Sequence, residues 1–341
     1  MSLTQDTFAF VADVVRRRSA IQLEAGKEYL VESRLLPLAR DAGHPGVDAY
    51  IREVRAAHRD SDLVRIVDAL TTNETSWFRD NTPFSAVRTH ILPTLRAERP
   101  VLDTLKVWSA ACSTGQEPYS LAMTFTDALG PGARFDITAT DLSERVLAQA
   151  RSGRYSQLEV NRGLPAPMMV RFFQRNGHDW QIADELRRTI TFQQHNLLDM
   201  PPAGPFDIVF LRNVLIYFDL ETKRGILSRV HRVLRPGGFL VLGAAETTIG
   251  VDGDWERVPV ERGSVYRPIK AGAVPTPRAA PGSLAGTPAP ATTSPFGTGA
   301  FTAAGATPTT TTRPATARPT TTFPLTRTRP TGSAFEQGVT R

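Results

Sequence analysis

The sequence is short of cysteine and of long apolar runs. Its 341 residues contain one cysteine, Cys112, so no disulfide can form within the chain, and a reducing cytoplasm suits this composition. No window approaches the ~18 unbroken apolar residues that a membrane-spanning helix needs. In the N-terminal stretch the apolar residues precede the basic run of Arg16, Arg17 and Arg18, the reverse of the order in a secretory signal. We therefore predict a cytoplasmic protein without membrane insertion, whose first residues form a helix.

Metal-ligand patterns are also lacking. The six histidines, at positions 44, 58, 90, 178, 195 and 231, show no metal-ligand spacing, so we expect no metal cofactor. The net charge of +6 arises mainly after residue 270, where six arginines face one acid, Glu336, which leaves the first 270 residues near +1. Nucleic-acid-binding domains carry a basic patch or stripe, so this distribution predicts no nucleic-acid partner.

Composition divides the chain. Residues 271–341 hold 11 of the 26 prolines, among many threonines and alanines. Such a segment cannot bury enough apolar surface to offset its ordering entropy, and we predict a disordered tail. A tether, a solubilising segment and a docking site for an unknown partner all fit this composition.

Residues 1–72 have the periodicity of short helices. A first helix follows the candidate caps Thr4 and Asp6, and Ser61 is the candidate cap of the fourth. The second, third and fourth helices fit residues 27–43, 47–58 and 61–70. Four helices of this length predict a small all-α N-terminal domain.

From about residue 101 the pattern changes to alternating strands and helices. Apolar strands rich in Val, Ile and Phe, separated by helices, indicate a mostly parallel sheet covered on both faces. Ligands then bind beyond the carboxyl ends of the strands. We predict an α/β domain over residues 101–270, joined to the helices by a linker at residues 73–100 that contributes to the active site.

Polar residues follow two of the predicted strands. The stretch WSAACSTGQEPYSLA, residues 108–122, carries one glycine, Gly115, where a dinucleotide-binding turn has three. Gly115 lets the backbone approach a ligand, and Glu117 would repel a pyrophosphate but attract an ammonium. Asp141 ends the next strand, where an acid can accept hydrogen bonds from a ribose diol, or can cap the following helix together with Ser143. A nucleoside with a cationic amino-acid arm fits this pattern, and S-adenosylmethionine has that shape. A Rossmann-like methyltransferase is therefore favoured over a dehydrogenase.

Several motifs together resemble the chemotaxis receptor methyltransferases, the CheR family. They are TTNETSWFRD at 71–80, VWSAACSTGQEPYSLA at 107–122 and RNVLIYF at 212–218. The run LRPGGFLVL at 234–242 is common before the fifth strand of Rossmann-like methyltransferases in general. The resemblance implies a class I methyltransferase domain of Rossmann-like α/β fold with a small antiparallel β-subdomain, at about residues 172–195. It also implies methyl transfer from S-adenosylmethionine to glutamate side chains of chemoreceptor cytoplasmic domains, giving glutamyl methyl esters and S-adenosylhomocysteine.

The resemblance assigns site residues as well. Together with Gly115, cofactor-binding roles fall on Asn73, Thr75, Arg79, Glu117, Asp141, Asn196, Leu197, Arg212 and Asn213. Arg79 and Tyr217 are the candidate catalytic residues. Other interpretations stay open, because Asn73 and Thr75 also fit helix caps, Arg79 a surface arginine and Tyr217 a core aromatic.

The chain departs from the family pattern in three places. The turn in RNGHDWQI, residues 175–182, is shorter than the glycine-rich turn that in some members binds a receptor's C-terminal pentapeptide, so we predict docking without that peptide. GAAETT at 243–248 replaces the more usual G-x-S-E-N and keeps Glu246. The linker after Arg79 is longer than usual. A methyltransferase for a small molecule and a catalytically silent scaffold remain alternatives, although the helical domain favours a protein substrate.

Overall fold

The computed structural model describes residues 3–100, 103–130, 132 and 134–269. The predicted disordered tail at 271–341 lies outside these residues. Within the described part of the chain, no helix combines the length and the apolar character needed to cross a membrane.

Four helices form the N-terminal part of the described chain: α1 (Gln5–Ser19), α2 (Glu28–Asp41), α3 (Val47–Ala57) and α4 (Asp60–Leu70). Helix α1 begins behind Thr4, whose hydroxyl accepts a hydrogen bond from the Thr7 N–H as the sequence pattern indicates. The helices share one apolar core of buried side chains, including Val11, Val15, Leu35, Ile51 and Ile66.

The prediction that Ser61 caps α4 is wrong. The helix begins at Asp60, behind Arg59, and has no side-chain cap. Instead the Arg59 guanidinium binds Asp62 in the first turn, with 2.7 Å between Nε and Oδ2. This ion pair, which no capping pattern indicates, ties the residue before the helix to its first turn.

A helical segment occupies the second half of the predicted linker. It runs through α5 (Thr82–Ala86), a π-helical turn (Val87–Ile91) and α6 (Leu92–Glu98). The side chains of Phe84, Val87 and Ile91 are fully buried in the core of the following sheet domain. Structurally this half of the linker is part of the α/β domain, and its extra length forms helix instead of loop.

Ten strands and six helices follow, with a single 3₁₀ turn after the seventh strand. In chain order they are β1 (Leu105–Ala110), α7 (Gln116–Leu129), β2 (Phe135–Asp141), α8 (Glu144–Ser152), β3 (Arg154–Tyr155), α9 (Gln157–Asn161), α10 (Ala166–Phe172), β4 (Phe173–Asn176), β5 (Asp179–Ile182), α11 (Asp184–Arg187), β6 (Ile190–Gln194), β7 (Phe206–Leu211), the 3₁₀ turn (Leu215–Tyr217), α12 (Leu220–Val233), β8 (Leu234–Leu242), β9 (Trp255–Val260) and β10 (Gly263–Pro268).

Seven of these strands form one sheet in the order β6-β2-β1-β7-β8-β10-β9. The first five are parallel, and β10 runs antiparallel to both β8 and β9. From β1 the chain moves to β2 and β6 on one side and later to β7 and β8 on the other. The order therefore reverses between β1 and β7, and their carboxyl ends mark the expected ligand site.

The small antiparallel sheet differs in extent from the prediction of about 172–195. Its strands are ordered β3-β5-β4 and begin at Arg154. The segment Ile190–Gln194 instead forms the edge of the main sheet, where it pairs in parallel with β2. Two physical features hid this arrangement: β3 is only two residues long, and an exposed edge strand has the alternating pattern of an antiparallel one.

Candidate active site

A cleft opens beyond the carboxyl ends of β1, β2 and β7. It holds about 910 Å³ of empty space, part of it open to solvent. Ten of the eleven predicted site residues line it: Asn73, Thr75, Arg79, Glu117, Asp141, Asn196, Leu197, Arg212, Asn213 and Tyr217. The fold thus brings together residues from the linker, from the carboxyl ends of β1, β2, β6 and β7, and from the turn after β7.

Gly115, the eleventh, lies outside the lining of this cleft. It is the residue before α7 and has a φ of 94°, in the left-handed region that favours glycine. A Cβ at this position would lie 2.9 Å from the Ala150 Cβ and 3.0 Å from the Tyr155 hydroxyl oxygen. Within the chain, the close approach that this glycine permits is to α8 and the β-subdomain.

Asp141 holds the loop after β1, which forms the floor of the cleft. Its carboxylate accepts the Ser113 N–H at 2.8 Å and the Ser143 N–H at 3.0 Å, and the side chain is buried. Burial raises the pKa of Asp141, against the opposing effect of these two backbone donors. Ser113 itself has a φ of 50°, a strained conformation that is typical of functional loops. Each carboxylate oxygen keeps a lone pair, so Asp141 can still accept two hydroxyl groups.

Asn73 connects the linker to the same loop. Its carbonyl accepts a hydrogen bond from the Ser113 hydroxyl at 2.7 Å, and its amide nitrogen donates to the Thr71 hydroxyl at 3.0 Å. Thr75 lies close by in the cleft wall. Asn73 is therefore more than a residue of the turn after α4, since it holds the linker against the β1 loop.

Arg212 is a buried cation in the wall of the cleft. Its side chain is 1% exposed and donates to Glu117 from Nη1 at 2.9 Å and to Asp80 from Nη2 at 2.7 Å. Nη2 also donates to the Arg79 carbonyl at 2.9 Å, and Glu117 accepts the Ser109 hydroxyl at 2.8 Å. One buried guanidinium thus offsets two carboxylates and fixes the linker over the sheet. The sequence predicts that Glu117 binds an ammonium group of the ligand. It gives no sign that Glu117 also pairs with Arg212 within the chain.

The linker is held in an unusual backbone conformation where it crosses the sheet. Phe78, Asp80 and Asn81 have φ values of 47°, 66° and 47°, which non-glycine residues rarely adopt. The Phe78 N–H donates to the Ser120 hydroxyl at 3.1 Å. Arg79 donates from Nη1 to the Glu74 carbonyl at 2.9 Å and is half-buried at the cleft. The linker is thereby fixed with the Arg79 side chain in the cleft wall.

The end of α1 and the loop after it form another wall. Ser19 and Ile21 line the cleft, and the Gln22 N–H donates to the Tyr217 carbonyl at 3.2 Å. Asn196 donates from its amide nitrogen to the Arg18 carbonyl at 2.7 Å. Its side-chain oxygen accepts the N–H of Leu198 at 3.1 Å. The side chain that the resemblance assigns to the cofactor thus also links the helical and α/β domains.

Leu197 and Cys112 also line the cleft, and neither carries a charge there. The Leu197 carbonyl accepts a hydrogen bond from Arg229 Nε at 3.1 Å. Burial raises the pKa of the Cys112 thiol well above its usual range, and the nearby carboxylates of Asp141 and Glu117 raise it further. A thiol in this environment stays protonated and is a packing residue, not a nucleophile.

Sequence reasoning missed two acids at this site. Asp80 follows Arg79 directly in the motif TTNETSWFRD, and Glu246 is the acid kept in GAAETT, so both stood in recognised stretches. Neither role was visible, because Asp80 acts through Arg212, 132 residues away, and Glu246 acts through backbone groups 31 to 33 residues away.

The donors and acceptors suit a nucleoside with an amino-acid arm. Asp141 offers acceptors for hydroxyl groups, and Glu117 offers an anionic partner for an ammonium group. The buried Nε–H of Arg212 has no acceptor among the described residues. Hydroxyl and ammonium groups are the groups at the two ends of S-adenosylmethionine.

Two family models match the chain. The model described as CheR methyltransferase, all-alpha domain, matches residues 6–71, and the model described as CheR methyltransferase, SAM binding domain, matches residues 73–263.

Curated relatives match over most of their length. A chemotaxis protein methyltransferase Cher2 of Pseudomonas putida is 38% identical over 74% of this chain and 94% of its own. Chemotaxis protein methyltransferase 1 of Pseudomonas aeruginosa is 39% identical over 78% of this chain and 99% of its own. A chemotaxis protein methyltransferase of Vibrio parahaemolyticus is 41% identical over 72% and 91%. With both family models matched in order, and with a cleft built for such a cofactor, the chain belongs to the CheR methyltransferase family and is an S-adenosylmethionine-dependent methyltransferase.

Proposed function

We propose that the protein transfers the methyl group of S-adenosylmethionine to glutamate side-chain carboxylates on the cytoplasmic domains of chemoreceptors. The products are glutamyl methyl esters and S-adenosylhomocysteine, and no metal takes part. The observation that carries this proposal is the cleft itself, which Arg79 and Tyr217 line together with the acids Glu117 and Asp141. The chemotaxis methyltransferases among the relatives support the choice of substrate class.

The cofactor-binding roles follow from the free hydrogen-bonding capacity of the site. Asp141 accepts the ribose hydroxyls with the lone pairs that Ser113 and Ser143 leave free. Glu117, held by Arg212 and Ser109, accepts the ammonium of the amino-acid arm. Asn73, Thr75, Leu197 and Asn213 provide the remaining cleft wall.

The bound cofactor supplies an electrophilic methyl group on a sulfonium centre. A glutamate carboxylate, with a reference pKa of about 4.3, is already ionised near neutral pH, so the protein needs no general base. Its task is to orient the incoming oxygen and to exclude water, and orientation of this kind can contribute roughly 7–11 kcal/mol.

Arg79 and Tyr217 are the residues placed for that orientation. Arg79 uses one guanidinium nitrogen for the Glu74 carbonyl and keeps other N–H donors for a substrate carboxylate. A fully neutralising ion pair would weaken the nucleophile, and a guanidinium already sharing its donors with a backbone carbonyl avoids that. Tyr217 lines the same cleft and is held in place through its carbonyl by Gln22.

The proposal is tested with cytoplasmic fragments of chemoreceptors, the protein and S-adenosylmethionine. Mass spectrometry should detect a methyl-ester mass increase on glutamate that disappears after mild base treatment. Arg79→Ala and Tyr217→Phe should each lower turnover by at least about tenfold while S-adenosylhomocysteine still binds to Tyr217→Phe. If both variants turned over as the wild type does, the orienting roles would be wrong, and a base-stable methyl group would point to another acceptor.

We further propose that receptor docking does not depend on a C-terminal pentapeptide. The turn that joins β4 and β5 consists of Gly177 and His178, and the adjoining edge strand β4 has only four residues. A strand this short offers a peptide few backbone partners. A receptor fragment lacking its last five residues should be methylated at the same rate as the intact fragment. Strong inhibition of methylation by the free pentapeptide is the result that contradicts this.

A further inference from the structure

Glu246 binds an unusual number of backbone donors. Its Oε1 accepts the N–H groups of Val214 and Leu215 at 2.8 and 2.7 Å. Its Oε2 accepts those of Gly243 and Asn213 at 2.7 and 2.8 Å. Only 9% of the residue is exposed, so one buried carboxylate depends on four backbone N–H groups.

Three of these donors are consecutive and follow β7 directly. Asn213 has a φ of 58°, and this left-handed residue turns its own N–H and the next two toward one point. Such a concave arrangement of N–H groups binds anions. Here the anion is the carboxylate of Glu246, so the arrangement is filled from within the chain.

The packing around Glu246 leaves it little freedom. A Cβ on Gly243 would lie 2.7 Å from Glu246 Oε2 and 2.8 Å from the Asn213 side-chain nitrogen. Only a residue without a side chain allows the carboxylate and Asn213 to come this close to the end of β8. The position of Asn213 is thus defined by the acid on one side and by β8 on the other.

The loop held in this way carries two residues of the cleft. Asn213 lines the cleft directly, and the 3₁₀ turn that starts at Leu215 ends with Tyr217. Glu246 does not line that cleft; it lines a neighbouring cavity behind the loop. Both of its oxygens are occupied by backbone N–H groups, so the route by which it acts on the cleft is the loop that carries three of them.

We infer that Glu246 is a positioning residue for methyl transfer, acting through the backbone of residues 213–215 to set the places of Asn213 and Tyr217. This inference rests on the proposed function of the same cleft. The removal of one acceptor oxygen leaves two backbone N–H groups facing an amide NH₂, and the loop must shift to relieve this.

The test compares Glu246→Gln with the wild type in the full chain. The dissociation constant of S-adenosylhomocysteine, from calorimetry, should rise at least about tenfold, because Asn213 moves. Turnover at saturating cofactor should also fall at least about tenfold, because Tyr217 moves.

A double-mutant cycle separates positioning from general damage. In the Tyr217→Phe background, Glu246→Gln should lower turnover by less than about threefold, because the tyrosine hydroxyl that it positions is already absent. Effects that simply multiply would contradict the inference for Tyr217. The cofactor measurement needs no receptor, so a failure of receptor methylation in the wild type would overturn the proposed substrate while the affinity change still tests Glu246.

Asp207→Asn is the matched control. Asp207 is a buried carboxylate at the opposite end of β7 that also accepts a backbone donor, the Lys106 N–H, at 2.8 Å. It should lower the melting temperature as Glu246→Gln does but leave cofactor affinity within about twofold. Should Glu246→Gln fail to fold, Gly243→Ala crowds the same carboxylate and the Asn213 N–H that it accepts, and should weaken cofactor binding at least about threefold. Unchanged cofactor affinity in a folded Glu246→Gln or Gly243→Ala variant overturns the inference.

Discussion

The two ends of β7 carry buried ion clusters of opposite composition. At the amino end the carboxylate of Asp207, 1% exposed, binds Arg99 at 2.7 Å and Arg235 at 3.0 Å. At the carboxyl end the guanidinium of Arg212, also 1% exposed, binds two carboxylates at 2.9 and 2.7 Å. Four residues, 208–211, separate an acid between two bases from a base between two acids that lies just past the end of the strand.

The surroundings of the two clusters differ as well. The arginines at the amino end reach the surface, with 35% of each side chain exposed, and Asp207 does not line the cleft at the carboxyl end. At the carboxyl end Ser113 and Asn213, on loops beside Arg212, have left-handed φ values of 50° and 58°. The amino end contributes stability, whereas the carboxyl end places strained backbone and unsatisfied hydrogen-bonding groups around a cavity. Similar charge pairs therefore serve different purposes on one strand.

The largest effect is expected from Arg212→Met, which breaks the carboxyl-end cluster. It leaves Glu117 and Asp80 unpaired and releases the linker, so the free energy of unfolding should fall by about 3–5 kcal/mol. Methyl transfer should fall by at least about 1,000-fold, because both the acid for the ammonium and the linker carrying Arg79 lose their support. Chemical denaturation and initial rates measure the two effects. Activity close to that of the wild type would remove Arg212 from the site.

Asp207→Asn breaks the other cluster and should separate stability from function. The free energy of unfolding should fall by about 2–3 kcal/mol, less than for a fully buried pair because the two arginines can turn toward water. Calorimetric affinity for S-adenosylhomocysteine at 15 °C should stay within about twofold of the wild type. A larger loss of affinity would mean that the two ends of β7 are coupled.

Asp141→Asn tests the carboxyl end through affinity and pH. The loss of one charged acceptor should weaken S-adenosylhomocysteine binding by about 1.5–3 kcal/mol. Because burial raises the pKa of Asp141 above its ordinary value of 3.8, the ionised form is present only above that raised pKa. Wild-type affinity should therefore decline as the pH falls toward the raised pKa, and the variant should lack this decline. The contribution of Asp141 to folding stability has the opposite sign, since a raised carboxyl pKa favours the fold at low pH.

The smallest effect is expected from Gly115→Ala, next to the cleft but outside its lining. A left-handed φ of 94° and a Cβ 2.9 Å from Ala150 should lower the free energy of unfolding by about 1–2 kcal/mol. Cofactor affinity should change less than about threefold, because the strain falls on α8 and Tyr155. A selective loss of binding with unchanged stability would instead support the contact between Gly115 and the cofactor that the sequence predicts.

Local patterns predicted the parts of this molecule that depend on neighbours in sequence. The alternation of apolar strands with helices predicts the sheet, and Asp141 stands at the last position of β2, where the pattern places it. Pairings across the fold were not predictable, because Arg212 meets Glu117 over 95 residues and Glu246 meets backbone groups that have no sequence signature. The subdomain limits were missed because a two-residue strand such as β3 is below what any periodicity can show.

Beside the cleft, two hydrogen bonds that involve main-chain groups join the end of α1 and the loop after it to the α/β domain. The carbonyls of Arg18 and Tyr217 and the N–H of Gln22 are three of the four groups in these two bonds, and the side chain of Asn196 is the fourth. The Gln22 side chain adds a third bond, to Asp219 at 3.1 Å. Substitutions on the outer faces of the helices can therefore accumulate without loosening these bonds. The helical domain could therefore evolve to bind a new partner while the wall that it contributes to the cofactor cleft stayed the same.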